Sequence, residues 1–206
     1  MLIGAGLALS VVACETTSPT MNAAGRPTSY QDPGTRGVVS GVGIESQDVV
    51  SMTDRMARDM LGDPVLAQRN PAPRIIVDSR HFRNESTSRI NVNAITNRLR
   101  VGLNRAAKGR MVFVGRQYID VVERERELKR QGKVDVATTG LTRAAAGADY
   151  RLVGTITSLD KRSPSTGLMS RYSQIVFEML DLEAGTLIWS GIYEFEKAAA
   201  DDVLYR

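Results

Sequence analysis

The chain has 206 residues, of which 42 % are hydrophobic, and a formal net charge of +4. Its single cysteine excludes an intramolecular disulfide, so the fold must rest on the burial of apolar side chains. Basic and acidic residues are intermixed, without the stripe of Arg, Lys and aromatic residues typical of a nucleic-acid surface, so we expect no nucleic-acid partner. The basic charge would favour anionic polymers or an acidic protein face.

The first fourteen residues predict export and lipid attachment. The apolar run from Leu2 to Ala13 is too short to cross about 30 Å of hydrocarbon as a helix, but it has the length of the apolar region of a secretory signal. It ends in Val-Val-Ala before Cys14, which resembles a bacterial lipobox, where the cysteine is lipidated and the new amino terminus carries an acyl chain such as palmitate. We predict a signal peptide at residues 1–13 and lipid attachment at Cys14. The alternative is a buried cysteine that packs as a small hydrophobe.

The lipid and the residues that follow it set the predicted compartment. Three acyl chains exceed the two signals that stable anchoring requires, so the mature protein should remain on its membrane. Glu15 stands where an inner-membrane retention signal usually has Asp, which favours a lipid anchor in the outer membrane with the chain on the periplasmic side. Residues 14–36 are small, polar or Pro/Gly, and we predict a flexible tether there. It would span about 75 Å when extended and about 25–30 Å as a coil.

Residues 37–206 are predicted to form a globular domain that begins with a helix. Ser46 is the expected N-cap of this helix, and Gly62 is expected to end it. An apolar stripe recurs every three or four residues and is formed by Val49, Met52, Met56 and Met60. Such a stripe indicates core packing, although methionines also line adaptable binding surfaces.

Two short strands and three helices are predicted in the middle of the chain. The strands are residues 74–78 and 111–114, and the helices are residues 93–108, 117–131 and 141–147. The inward positions of the first of these helices are Ile95, Leu99, Leu103 and Ala106. The first half of the second helix is apolar on one side, at Tyr118, Val121 and Val122. Its second half is a run of charges, which indicates a solvated face or, as the alternative, a docking face.

The C-terminal part predicts three antiparallel strands. Alternation gives each of the first two an apolar face, formed by Tyr150, Leu152, Ile156, Ile175, Phe177 and Met179. After a hairpin turn at Gly185, the apolar face of the last strand is predicted to be Leu187, Trp189, Tyr193 and Phe195. We expect Trp189 to be a core residue rather than a platform for a ligand. The order of elements predicts an α/β sandwich with a mixed sheet that ends in a three-strand antiparallel meander, with helices packed on the sheet.

Four short stretches of this sequence resemble the LpoB family. They are Phe82-Arg83-Asn84, the residues from Ala146 to Tyr150, the glycine Gly154 and the residues from Ala184 to Gly191. The lipobox and the tether match the layout of the family, and the resemblance covers about Ile44 to Phe195. Members are outer-membrane lipoproteins that activate bifunctional peptidoglycan synthases, the class A penicillin-binding proteins.

This resemblance implies how the protein acts. A domain tethered to the outer membrane would pass through the peptidoglycan layer and bind a small regulatory domain on a class A penicillin-binding protein. Binding would shift the synthase towards its active state, so that glycan polymerisation and peptide cross-linking rise. The protein would thereby regulate cell-wall synthesis and cell shape.

No constellation of residues indicates an enzyme. Asp78, His81 and Glu85 are close in sequence, but their spacing is not that of a zinc site, and a polar loop is the better interpretation. The motifs of serine nucleophiles and phosphate-binding loops are absent from the sequence. We therefore expect no catalytic, cofactor-binding or metal-binding residues and no small-molecule substrate. The alternative function is that of a non-enzymatic structural or secretion-linked envelope lipoprotein with the same fold.

Overall fold

A computed structural model describes residues 32, 33, 35, 41–138 and 140–199. The predicted signal peptide, Cys14 and most of the predicted tether lie outside these residues. The described residues from Pro33 onwards belong to one compact unit. Within the described part of the chain, no helix has both the length and the apolar character needed to cross a membrane.

Helices and strands alternate in the first half of this unit, and three long strands form the second half. The elements are α1 (Ser46–Gly62), α2 (Pro64–Ala67), β1 (Arg74–Asn84), α3 (Val92–Ala107), β2 (Val112–Val114), a 3-10 turn (Arg116–Tyr118), α4 (Ile119–Arg130), β3 (Tyr150–Arg162), β4 (Met169–Asp181) and β5 (Leu187–Ala199). They form one five-stranded sheet in the order β2-β1-β3-β4-β5.

The sheet is mixed, as the sequence predicts. β1 runs parallel to both β2 and β3, whereas β3, β4 and β5 form an antiparallel meander. α1 and α3 pack against each other, and they also contact β5 and β1 respectively. The predicted α/β fold with helices packed on a mixed sheet is confirmed.

The core is one apolar layer between the helices and one face of the sheet. It contains the three methionines of the α1 stripe, the inward leucines of α3 and alternate residues of the meander, with Met52, Leu99, Leu103, Ile156, Phe177 and Trp189 among its members. Trp189 is 8 % exposed and Met52 is fully buried. The core interpretations of the methionine stripe and of Trp189 are therefore confirmed.

Two glycines of the family-like motifs make room for aromatic rings in this layer. A Cβ atom at Gly191 would lie 2.5 Å from the Trp189 ring and 2.9 Å from the sulfur of Met56. A Cβ atom at Gly154 would overlap the ring of Phe82, which packs against Phe177 with ring centroids 5.1 Å apart. Only glycine fits at these two positions without displacing an aromatic side chain.

β1 is longer than the predicted strand 74–78 because it resumes after a bulge. The pairing with β3 shifts between Val77 and Phe82, where the four residues Asp78–His81 lie opposite the single residue Val153. The strand then continues to Asn84. The predicted polar loop is therefore wrong for its first residues, because a bulge lets a strand carry extra polar residues without breaking its pairing.

The predicted helix at residues 141–147 is also wrong, because side chains of α4 and of the 3-10 turn before it bind this segment in a non-helical conformation. Arg126 donates to the Thr142 carbonyl at 2.6 Å and to the hydroxyl of the same residue at 2.7 Å. Arg116 donates to the Ala146 carbonyl at 3.2 Å. These contacts satisfy carbonyl groups that would otherwise favour helical bonding, and local sequence does not reveal them.

The structure also differs from the prediction at the N-cap of α1 and at one inward position of α3. α1 starts at Ser46, and Glu45 is its N-cap residue, with the Glu45 N–H donating to the Asp48 carboxylate at 2.8 Å. On α3 the buried alanine is Ala107, whereas the predicted Ala106 is exposed. A helix has 3.6 residues per turn, so a one-residue error in the stripe is enough to exchange these positions.

The last strand contains a second bulge, which changes the predicted face of one residue. Trp189 pairs with Met179 and Leu187 pairs with Leu180, so Ile188 is an additional residue in β5. Leu187 consequently lies on the outer face and is 53 % exposed. The partly buried Ile188 packs against the core instead.

An ion pair between a buried arginine and a more exposed aspartate holds the loop before α3 against the meander. Arg171 of β4 is 8 % exposed and donates from Nε and Nη2 to the two carboxylate oxygens of Asp160 on β3, at 2.6 and 2.8 Å. Its Nη1 donates to the hydroxyl of Ser88 in the loop. The hydrogen bonds from Arg171 lower the pKa of Asp160 below its ordinary value of 3.8.

We expect Gly191→Ala to lower the free energy of unfolding by about 1–3 kcal/mol, because the added methyl group overpacks the Trp189 ring. Denaturant unfolding followed by Trp fluorescence measures this change. Gly147→Ala is the matched control, since a Cβ atom at Gly147 meets no atom within 4 Å. Equal stability of the two variants would contradict the packing described for Trp189.

We expect Asp160→Asn to destabilise the protein at neutral pH and to lose this effect in acid. A lowered folded-state pKa contributes stability above the unfolded-state value of 3.8, and this stability disappears as the pH falls through the lower folded-state pKa. The gap in unfolding free energy between wild type and variant should therefore close below about pH 3.8. Glu123→Gln on the exposed surface of α4 is the control, and a gap that is independent of pH would refute the assignment.

Candidate partner-binding surface

The acidic residues of the described chain do not form a metal-binding cluster. Within residues 41–138 and 140–199, no three His, Cys, Asp or Glu side chains come together as ligands. Asp78 is buried in β1 and accepts a hydrogen bond from the Arg80 N–H at 3.2 Å. His81 is exposed at the bulge, and Glu85 lies 3.8 Å from the guanidinium of Arg83 on the surface. The predicted lipid-attachment residue, Cys14, is outside the described residues.

α3 is held at both of its ends and presents a defined outer face. At the N-terminus, the Asn91 side chain accepts from the N–H groups of Asn93 and Ala94 at 3.1 and 3.3 Å. At the C-terminus, Lys108 and Gly109 adopt positive φ angles of 48° and 83°, which end the helix. The outward side chains of α3 are therefore displayed on a rigid element.

A groove lies between the outer faces of α1 and α3. Its cavity of about 610 Å³ has a floor formed by Val101, Gly102 and Ala106 of α3. The rest of its lining is polar and consists of Asn97, Arg98 and Arg105 of α3 and Asp54 of α1. Val101 is 52 % exposed, so the floor is apolar surface in contact with solvent.

One of the two arginines is already held in place by α1, and the other is not. Arg98 donates from Nε to the hydroxyl of Thr53 at 3.0 Å, and its Nη2 lies 3.7 Å from the carboxylate of Asp54. Arg105 forms no hydrogen bond and no ion pair with another residue in the described part of the chain. The groove therefore combines one guanidinium that is held by α1 with a second that can donate hydrogen bonds to a carboxylate of a partner.

The groove belongs to the most one-sided charge distribution in the sequence. Between Glu85 and Asp120 the chain has no acidic residue and seven basic ones, which are Arg89, Arg98, Arg100, Arg105, Lys108, Arg110 and Arg116. The expectation that basic and acidic residues are intermixed throughout is wrong for this segment. The signal was the position of the acids rather than their number, and three of these arginines, Arg98, Arg100 and Arg105, lie on α3.

The outer face of the meander carries exposed apolar residues, such as Leu187 and Ile192, beside polar groups that bind one another. The Tyr172 hydroxyl donates to the Glu194 carboxylate at 2.7 Å and accepts from the Gln174 amide at 3.2 Å. Ser170 donates to the Glu196 carboxylate on the neighbouring strand. These cross-strand contacts stabilise the open face of an antiparallel sheet, one side of which commonly faces water.

α4 has an exposed apolar side near the edge strand β2. Val121 is 69 % exposed and Tyr118 is 55 % exposed. Cavities of about 240 and 360 Å³ lie between this helix, β2 and the segment that contains Leu141. The charged second half of α4 is only partly solvated, because Arg126 binds Thr142 and the Lys129 side chain, 3.9 Å from Glu125, is 14 % exposed.

The segment that enters the fold is fastened to the last strand. Val42 is 3 % exposed, and the next residue, Gly43, accepts a hydrogen bond at its carbonyl from the Lys197 ammonium at 2.9 Å. The same ammonium bonds to the carboxylate of Asp48 in the first turn of α1. One lysine of β5 thus holds both the lead-in segment and the start of α1.

Comparison with known proteins identifies relatives of this domain. A family model described as "Peptidoglycan-synthase activator LpoB" matches residues 48–195. The chain is similar to the solved LpoB C-terminal domain from Escherichia coli, with 20 % identity, 69 % of this chain and 94 % of that chain covered, and a TM-score of 0.40. The same domain from Salmonella enterica has 20 % identity, with 69 % of this chain and 94 % of that chain covered and a TM-score of 0.38. The lipoprotein GNA1162 from Neisseria meningitidis has 19 % identity, with 64 % of this chain and 86 % of that chain covered and a TM-score of 0.33.

No curated protein matched the chain. The family model nevertheless extends from the first turn of α1 to β5, and so it includes α3, the sheet and every motif quoted above for the resemblance. Because the matched residues make up most of the sequence, the chain belongs to the LpoB family of peptidoglycan-synthase activators.

Proposed function

We propose that this protein is an outer-membrane lipoprotein that binds a class A penicillin-binding protein in the periplasm and activates it. The observation that carries the proposal is the family match over residues 48–195. In this proposal, Cys14 carries the lipid, residues 14–36 form the tether and the domain from residue 37 binds the regulatory domain of the synthase. The protein itself catalyses no reaction.

The proposed mechanism is a difference in affinity between two states of the synthase. A ligand shifts an equilibrium only when it binds one state more tightly than the other. The domain would therefore hold the regulatory domain in the arrangement that belongs to the active synthase, and both polymerisation and cross-linking would rise. A rigid binding surface suits this role, because a surface that is ordered beforehand loses less entropy on binding.

We expect the full-length protein, purified in detergent, to raise the rate of glycan polymerisation by the class A synthase of the same organism in a saturable manner. Consumption of labelled lipid-linked precursor measures this rate. A pull-down from membrane extract, analysed by mass spectrometry, should retain the same synthase. An unchanged rate at saturating protein, together with retention of secretion components alone, would favour the structural or secretion-linked alternative and refute the proposal.

We expect Cys14→Ser to abolish membrane anchoring, because serine has no thiol to form the thioether. Phase partitioning in a detergent that separates on warming measures the change, with the variant moving to the aqueous phase or keeping its signal peptide. Thr17→Ser, which leaves the lipobox intact, is the control. Equal partitioning of Cys14→Ser and wild type into the detergent phase would rule out Cys14 as the lipid site.

A further inference from the structure

We infer that the groove between α1 and α3 receives the partner protein, and that the partner offers it an acidic face with an apolar side chain at its centre. This inference rests on the proposed function, since it names the surface through which the synthase would be bound. It adds a location and a chemistry, which neither the family match nor the fold provides.

The shape of the groove suits an inserted side chain. Gly102 has no side chain, and a Cβ atom built there would meet nothing within 4 Å, so space is open above the helix backbone. Val101 and Ala106 provide apolar surface on either side of this space. Protein interfaces are commonly centred on a side chain that fills such a pocket and excludes water.

The charges beside the groove favour carboxylates on the partner. Arg105 is without a partner within the described residues, and the ordered Arg98 keeps donors beyond its contacts with Thr53 and Asp54. Guanidinium groups bind carboxylates with two parallel hydrogen bonds and are enriched at the energetic centres of interfaces. No residue from 86 to 119 is acidic, so α3 itself places no carboxylate beside these two arginines.

The apolar floor distinguishes a protein face from an anionic polymer. A flexible charged polymer requires positive charge alone, and Arg residues scattered over a polar surface would suffice. Here the arginines flank exposed Val101 and open space at Gly102, which only a partner with its own apolar group can cover. The arrangement therefore favours an acidic protein surface.

Two other surfaces are weaker candidates for the site that binds the partner. On the outer face of the meander, Tyr172, Gln174 and Glu194 already bind one another, so a partner would have to break these contacts. The apolar side of α4 at Val121 is exposed, but nothing around it indicates which partner covers it. The groove between α1 and α3 is the surface where shape and charge point to the same partner.

Two substitutions test this without damaging the fold. Gly102→Gln fills the groove, and it should leave the helix at least as stable because Gly is a poor helix former. Arg105→Glu reverses the charge at an exposed position. The matched controls are Gly62→Gln at the end of α1, where a Cβ atom also meets nothing within 4 Å, and Arg124→Glu on α4, which changes the net charge equally.

Binding of the full-length, detergent-purified variants to the synthase is measured with and without added salt, alongside stimulation of polymerisation. We expect Gly102→Gln and Arg105→Glu each to weaken binding by about tenfold or more, with the controls close to wild type. The affinity of wild type should fall with salt more steeply than that of Arg105→Glu, because a screened ion pair has been removed.

The outcomes separate the inference from the function on which it rests. If wild type binds and activates the synthase and both groove variants do so equally well, the inference is overturned and the proposed function stands. If wild type itself neither binds nor activates, the proposed function fails, and the inference fails with it. If Arg105→Glu loses retention on purified peptidoglycan but keeps its affinity for the synthase, the groove serves the anionic polymer, and the inference is likewise overturned.

Discussion

The fold depends on one apolar layer between two helices and one face of a sheet. With a single cysteine in the chain, no internal disulfide can support it. The layer is filled by long, adaptable methionines from α1 and by aromatic rings from β1, β4 and β5. Phe82 and Trp189 reach their places only because Gly154 and Gly191 leave space for the rings. The family-like motifs are thus residues of packing, which explains why they identify the fold and do not mark a site of chemistry.

Burial of one face leaves the opposite surfaces of the helices for recognition. α1 and α3 are joined through the core, and Arg98 also ties them together outside it through Thr53 and Asp54. The ion pair between Arg171 and Asp160 fixes the loop that leads into α3. The groove between the helices is therefore fixed by contacts within the domain, which suits the proposed selection of one state of the synthase.

Periodic patterns in the sequence predicted the layer well. The methionine stripe of α1 and the alternation in β3 and β4 each depend on local geometry, and both are found in the structure. The bulges at Asp78–His81 and Ile188 were not predictable, because a bulge depends on pairing with another strand. The local sequence of the segment 141–147 predicts a helix. The structure differs because Arg126 of α4 binds this segment, and such a contact cannot be seen in the sequence of the segment itself.

The charges of the candidate surface were also only partly predictable from the sequence. The net charge of the whole chain is only mildly basic, whereas the candidate surface depends on one acid-free segment, part of which forms α3. Arg98 and Arg105 are seven residues apart in sequence and lie on the same groove because two helical turns separate them. The pairing of Arg98 with Thr53, 45 residues earlier, is a tertiary contact that no local pattern predicts.

The lysine at the end of β5 has a mechanical consequence. The Lys197 ammonium binds the carbonyl of Gly43 and the carboxylate of Asp48. These two contacts attach the chain to β5 at the point where it enters the domain. A force applied along the preceding chain therefore acts on the contacts of Lys197 before it acts on the methionines of α1. The load is then shared with β5, which is bonded to β4 along its whole length. If the preceding chain is tethered as proposed, tension along it would load Lys197 and β5 before it loads the apolar core.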